Sequence, residues 1–171
     1  MMYAYVGCRT TKERNARGEG LKTYAIEASG QWRELQCLAT EPNPSYQTLD
    51  REGKFLYSVH GDFTKASSYK ILPDHTLEHI NTIDIGGRNP VDITVDKENR
   101  RVIVATLQGG TLYSIERTGT ALSKKSSRPS HTRGRSRARS RRYINAYGTE
   151  AWTTCSPPRR DASTAMDSSA L

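Results

Sequence analysis

Long hydrophobic runs are missing from this chain. No stretch of roughly 18 apolar residues occurs, so no membrane-spanning helix is expected. The opening residues, Met1 to Gly7, lack a basic start followed by an apolar stretch, and no secretory leader is expected either. Cysteine is scarce. Cys8, Cys37 and Cys155 are an odd set without Cys-x-x-Cys spacing, which argues against a disulfide framework or a zinc site and predicts a reducing, cytoplasmic setting. Apolar residues make up only 35% of the 171, against ~45–50% for an average globular chain counted with glycine, so the chain has material for one ordinary core. A Gly-x-Ser-x-Gly nucleophile elbow and a phosphate-binding P-loop are both absent, and no cofactor or metal is predicted.

Charge is distributed unevenly. Residues 1–122 hold 15 Lys plus Arg and 15 Asp plus Glu, whereas 123–171 hold 11 and 3, so the whole net charge of +8 lies in the last 49 residues. Ile, Val, Leu and Tyr recur before Leu122, and Ser, Arg, Thr, Ala and Pro dominate after it. The two changes coincide and place a boundary near Leu122.

The first part repeats itself. Asn43-Pro44-Ser45-Tyr46-Gln47-Thr48-Leu49-Asp50 returns 46 residues later as Asn89-Pro90-Val91-Asp92-Ile93-Thr94-Val95-Asp96, and Arg51–Val59 returns as Lys97–Ala105. Tyr3–Gly7 is the second of these segments once more, followed by a longer loop. Leu21–Glu27, Ser68–Ile71 and Thr111–Glu116 supply a third segment type, and Trp32–Ala39 and Leu77–Ile85 a fourth. Within the segments large or β-branched residues recur at period two, and turn text such as Asp50-Arg51-Glu52-Gly53 separates them. Four short strands per ~40–50 residues is the pattern of a β-propeller blade. The competing reading is a β-sandwich with accidental self-similarity. Asp50 and Asp96 are read as turn caps that accept backbone N–H bonds.

Tyr5-Val6-Gly7, Asn43-Pro44-Ser45-Tyr46, Gly53–His60 and Gly86–Val91 through Val95-Asp96 resemble the opening blades of the lactonase family, whose members are seven-bladed propellers and include 6-phosphogluconolactonases and carboxy-muconate cyclases. The resemblance covers residues 1–122. Arg51-Glu52-Gly53 and Lys97-Glu98-Asn99 depart from the family's usual Pro-Ser-Gly or Pro-Asp-Gly, many members carry His where Asp92 stands, and the family's His-Pro-His strand is absent. The expected fold is all-β: about two and a half four-stranded blades over 1–122, then a disordered basic tail over 123–171. Open blade faces predict marginal stability and self-association. The activity implied is lactone ester hydrolysis in carbohydrate metabolism, by an incomplete member with little or no activity, on a small-molecule lactone or phosphosugar lactone.

In a propeller the loop entering each first strand and the loop leaving each second strand share one rim. His60 and Asp62 are candidates there for proton transfer. Arg88 is a candidate anchor for a phosphate or carboxylate, with Asn89, Asp92 and Asn43 beside it or at the equivalent place. The ordinary alternatives are a solvated arginine and a structural histidine.

The tail carries seven Arg within 128–142. A basic propeller fragment binding nucleic acid or acidic partners is the alternative function, resting on the tail alone, with no finger, heptad or stacking platform for sequence readout. A frame-shifted or truncated coding sequence accounts for more. Read from the third base of each codon, Ala146 to Cys155 permits a strand resembling Val-x-Asp-x-Gly-x-Asp-x-Val, as the family has here.

Overall fold

The computed structural model describes residues 1–119, 121–126, 130–131, 143–144 and 150–151. They fall in two units, 1–134 and 135–171. The first unit is three antiparallel sheets. Sheet 1 contains β1 (Met2–Gly7), β2 (Leu21–Ile26) and β3 (Trp32–Leu38). Sheet 2 contains β4 (Pro44–Leu49), β5 (Phe55–His60), β6 (Lys65–Ile71) and β7 (Leu77–Asp84). Sheet 3 contains β8 (Pro90–Val95), β9 (Arg101–Thr106), β10 (Thr111–Thr118) and β11 (Ala121–Ser126), each strand hydrogen-bonded to the next in sequence. A short β12 (Ser130–His131) also pairs with β10. Leu112 faces Ala105 of β9 on one side and Ser130 on the other, so β12 occupies the same edge of β10 as β11. In the second unit β13 (Tyr143–Ile144) pairs with β14 (Glu150–Ala151).

The all-β partial propeller expected from the repeat is therefore what forms. The fourth strand of sheet 3 runs from Ala121 to Ser126, across the compositional boundary at Leu122. Apart from the short strands just named, the expected disorder of 123–171 lies outside the described residues. No helix among the described residues is long and apolar enough to cross a membrane.

Burial shows how the sheets stack. Along β2 and β9 buried residues alternate with half-exposed ones, because only one face is covered. In β5 five consecutive residues, Leu56 to His60, are all buried. Sheet 2 is the middle layer, and both of its faces are covered along β5 and the middle of β6. Tyr57 and Val59 point into an apolar cluster with Ile93, Val95, Val102 and Val104 of sheet 3. The opposite face is more polar. Leu56 packs with Leu21 of sheet 1, but Ser58, Ser67, His60 and Thr23 are each fully buried, and Thr23 Oγ1 has no hydrogen-bond partner among the described residues.

The repeat carries its own turn chemistry. Asp50 Oδ1 accepts hydrogen bonds from Lys54 N (2.7 Å) and Phe55 N (3.1 Å), and Asp96 Oδ1 accepts them from Arg100 N (2.7 Å) and Arg101 N (3.0 Å). Gly53 closes the first turn at φ +67 and Asn99 the second at φ +57. Asparagine is among the few side chains that enter this left-handed region readily. Outer strands are tied across sheets by side-chain amides that imitate a strand. Gln36 bonds both the N–H (2.8 Å) and the C=O (3.0 Å) of Leu77, and Asn81 does the same to Leu122 (3.1 and 2.8 Å).

His60 sits at the end of β5 with both ring nitrogens engaged, Nδ1 with Pro42 O (3.0 Å) and Nε2 with Ser67 Oγ (2.7 Å). Burial lowers its pKa below 6.5, outweighing the Pro42 carbonyl. The folded protein thus holds His60 neutral while the unfolded chain takes up a proton. Stability is complete above pH 6.5 and declines as pH falls through and below it. Thermal melts at stepped pH values should show this slope in the wild type and a flatter one in His60→Gln. Equal slopes would refute the assignment.

Candidate functional site

The loops around one rim are held together by asparagine. Asn43, fully buried and left-handed at φ +54, heads β4. Its Oδ1 accepts from Thr10 N (2.8 Å) and Thr11 N (3.2 Å), and its Nδ2 donates to Thr11 Oγ1 (3.2 Å), Gly61 O (3.3 Å) and Asp62 Oδ2 (3.3 Å). Asn89, left-handed at φ +55, heads β8 in the same way. Its Oδ1 accepts from Asp62 N (3.0 Å), and its own N–H donates to Phe63 O (2.8 Å). Each asparagine grips a rim loop of the preceding sheet, Asn43 the loop that leaves β1 and Asn89 the loop that leaves β5. Both side chains are candidate substrate anchors, and their amide oxygens lock one sheet to the next.

Asn43→Ala should cost about 3 kcal/mol, combining lost buried hydrogen bonds with a left-handed alanine. Asn43→Gly should recover about 1 kcal/mol of that, since glycine removes the backbone strain only. Chemical denaturation of the two variants separates the contributions, and equal losses would contradict the split.

Asp62 is the centre of charge on this rim. It lies at φ +72 and receives Arg9 Nη1, Arg14 Nη2 and Arg14 Nε, the last at 2.8 Å. The Arg14 hydrogen bonds, with the charges of both arginines, hold its carboxyl below the usual carboxylate value. A carboxylate so stabilised is a weak proton acceptor near neutral pH. His60 is sealed behind the same loop. The structure therefore brings His60 and Asp62 near one rim, but gives the first to the interior and the second to two arginines. Glu41 and Lys65 pair beside them at 2.7 Å. Arg88 is exposed between buried Gly87 and Asn89, and its guanidinium makes no hydrogen bond or ion pair among the described residues. Asp92 is exposed on β8, just past a bulge between Pro90 and Asp92 that repeats the one between Pro44 and Tyr46. No cluster of metal-ligating side chains occurs among the described residues.

Arg9 and Arg14 escaped the sequence reading. They lie in the long connection between Gly7 and Leu21, braced by a single 3-10 turn at Lys12–Arg14. That connection's length was the available signal, since the equivalent link between His60 and Lys65 is far shorter.

Three consecutive blades joined by like-placed rim loops define an arc of a β-propeller. The chain belongs to the lactonase, 7-bladed beta-propeller family, whose model it matches over residues 3–143, beyond the compositional boundary at Leu122. It is 31% identical over 126 residues to a 6-phosphogluconolactonase of Formosa agariphila, covering 67% of this chain and 34% of that one. Among solved structures, a Bacteroides fragilis protein superimposes with a TM-score of 0.68 at 24% identity, over 77% of this chain and 36% of that one. The periplasmic gluconolactonase of Pseudomonas aeruginosa does so with a TM-score of 0.62 at 23% identity, over 71% and 36%. At these identities the solved structures show the fold alone. The chain spans about a third of the length of these relatives.

Proposed function

We propose that this protein serves lactone ester hydrolysis in carbohydrate metabolism, with a phosphorylated sugar lactone as substrate. The observation that carries the reading is the family match over 3–143, which includes every rim loop of the three sheets. Hydrolysis needs a polarised carbonyl, an attacking water and a proton for the departing ring oxygen. Of the candidate anchors, Arg88 and Asp92 are the two that face solvent, and we assign them to substrate. Arg88 offers a planar fork to an anionic group, and Asp92 accepts hydrogen bonds from sugar hydroxyls. The free thiols of Cys8 and Cys37 support a reducing, cytoplasmic compartment.

The test is hydrolysis of 6-phosphoglucono-δ-lactone and of glucono-δ-lactone, each corrected for its spontaneous rate. We expect a small acceleration for this 171-residue chain, larger for the phosphorylated lactone. Arg88→Gln should raise KM about tenfold, the loss of one charge-assisted hydrogen bond, and leave kcat nearly unchanged. No acceleration with either lactone would overturn the reading.

A further inference from the structure

The geometry points to Arg9 and Arg14 as a built oxyanion subsite on the rim, with Asp62 as the residue that positions them. Two guanidinium groups converge on one carboxylate, and Arg9 Nη1 and Arg14 Nε reach the same oxygen, Oδ2. Arg14 Nε has its single N–H on Asp62, so a bridging phosphate would take the remaining N–H groups of Arg9 and of Arg14 Nη1 and Nη2, on two guanidinium groups that Asp62 draws together. The three groups together retain one positive charge. Arg9 spends one N–H on Asp62 and Arg14 spends two. A guanidinium has five, so most of the donors on this pair have no acceptor among the described residues. They are also accessible, because the Arg9 and Arg14 side chains are 39% and 51% exposed.

The pair is held more firmly than surface arginines usually are. Asp62 is fixed from below by Asn89 through its own N–H and by Asn43 through Oδ2. Asn43 also holds the backbone of Thr10 and Thr11, directly after Arg9. The 3-10 turn that carries Arg14 is closed by Asn15 in the left-handed region, with its N–H on Lys12 O at 2.8 Å. Loop, carboxylate and both arginines are therefore arranged before any ligand arrives, which lowers the ordering cost of binding. A dianionic phosphate fits this arrangement better than a neutral hydroxyl. It more than offsets the single residual positive charge and supplies acceptors for the outward N–H groups. The assignment of that phosphate to a phosphosugar lactone rests on the function proposed above, whereas the oxyanion subsite can be tested without it.

The test is a titration of the full chain with inorganic phosphate at low ionic strength. The arginine Nε–H resonances are followed by NMR, with chloride at matched ionic strength as control. Phosphate should shift Arg9 and Arg14 saturably while chloride does not, and Arg100, an exposed arginine on the opposite rim, should stay unmoved. Arg9→Gln/Arg14→Gln should weaken phosphate binding at least tenfold, and Arg100→Gln should not. The wild-type resonances decide the matter even if the double variant folds poorly. Phosphate shifts no larger than those from chloride, or equal shifts at Arg100, would overturn the subsite. Failure of lactone hydrolysis would leave this titration unaffected, and failure of the titration would leave lactone hydrolysis standing.

Discussion

Asp50→Ala is expected to lower folding stability by about 3–5 kcal/mol, the cost of stranding one member of a buried ion pair. Asp50 and Arg117 join sheets 2 and 3, with side chains only 1% and 6% exposed and 3.4 Å between Oδ2 and Nη2. Asn99 Nδ2 adds a hydrogen bond to the same oxygen at 3.1 Å. The Arg117 guanidinium lies over the rings of Phe55 and Tyr57, 5.8 and 5.3 Å from their centroids. Without the carboxylate this buried cation keeps, among the described residues, the π faces of Phe55 and Tyr57 and the Asn99 carbonyl. Domains of this kind have about 5–15 kcal/mol in total, so the variant should stand near the limit of folding. The repeat supplies the control. Asp96 caps the equivalent turn but has no ion-pair partner among the described residues, and Asp96→Ala should cost about 1 kcal/mol, as lost caps do. Urea unfolding of the two variants measures the difference, and equal losses would mean that the ion pair contributes nothing beyond the turn. Burial alone would raise the Asp50 pKa, but the Asn99 side chain, the Phe55 and Lys54 amides and the Arg117 charge outweigh it and hold the carboxyl below 3.8. The stability it confers is present above that value and is lost as pH falls through the folded-state pKa, so Asp50→Ala should also flatten the acid limb of the stability profile.

Gly7→Ala should be nearly as damaging, for a purely steric reason. A Cβ at Gly7 would stand 2.0 Å from Gln47 Nε2 and 2.3 Å from Pro44 O. The glutamine can swing away, but the Pro44 carbonyl belongs to the backbone of β4. β1 and β4 would have to separate, opening the contact between sheets 1 and 2. Overpacking of this kind costs about 1–3 kcal/mol, and a backbone obstacle puts Gly7→Ala at the upper end. Gly30→Ala is the contrast. Gly30 has φ +84 and open space around it, so alanine there meets only left-handed strain, about 1–2 kcal/mol. Thermal denaturation followed by circular dichroism should rank Gly7→Ala below Gly30→Ala, and the reverse order would show that the sheets can part without loss.

Strands, turns and repeat register were legible because each is a local property. Alternation along Phe55–Val59 fixed β5, and the spacing of Asn43 to Asn89 and of Asp50 to Asp96 predicted twin turns that the structure reproduces. Roles that depend on a neighbouring sheet were not legible. Asn43 and Asn89 looked like anchors because nothing in their own segments shows that a preceding loop will claim their amides. His60 looked like a proton-transfer group because its closure by Ser67 and Pro42 arises only when β5 pairs with β6 and β4. Arg117 reads as one more charged strand residue until the fold sets it beneath Asp50. β11 was missed because Lys124-Lys125 interrupts its alternation where the chain turns basic.

The unlike faces of sheet 2 have a consequence for how the molecule opens. The contact with sheet 3 is an apolar cluster, whereas the contact with sheet 1 relies on buried hydroxyls, His60 and a small apolar patch. Local opening follows the weaker contact. Amide hydrogens of β1 to β3 should exchange first, as a group, while those of β5, β6 and β9 exchange only on global unfolding. Cooling weakens apolar association more than hydrogen bonding, so the gap between the two sets of amides should narrow in the cold. Acid should widen it, because His60, which burial holds neutral in the folded protein, lies on the sheet 1 side and takes up a proton once that contact opens.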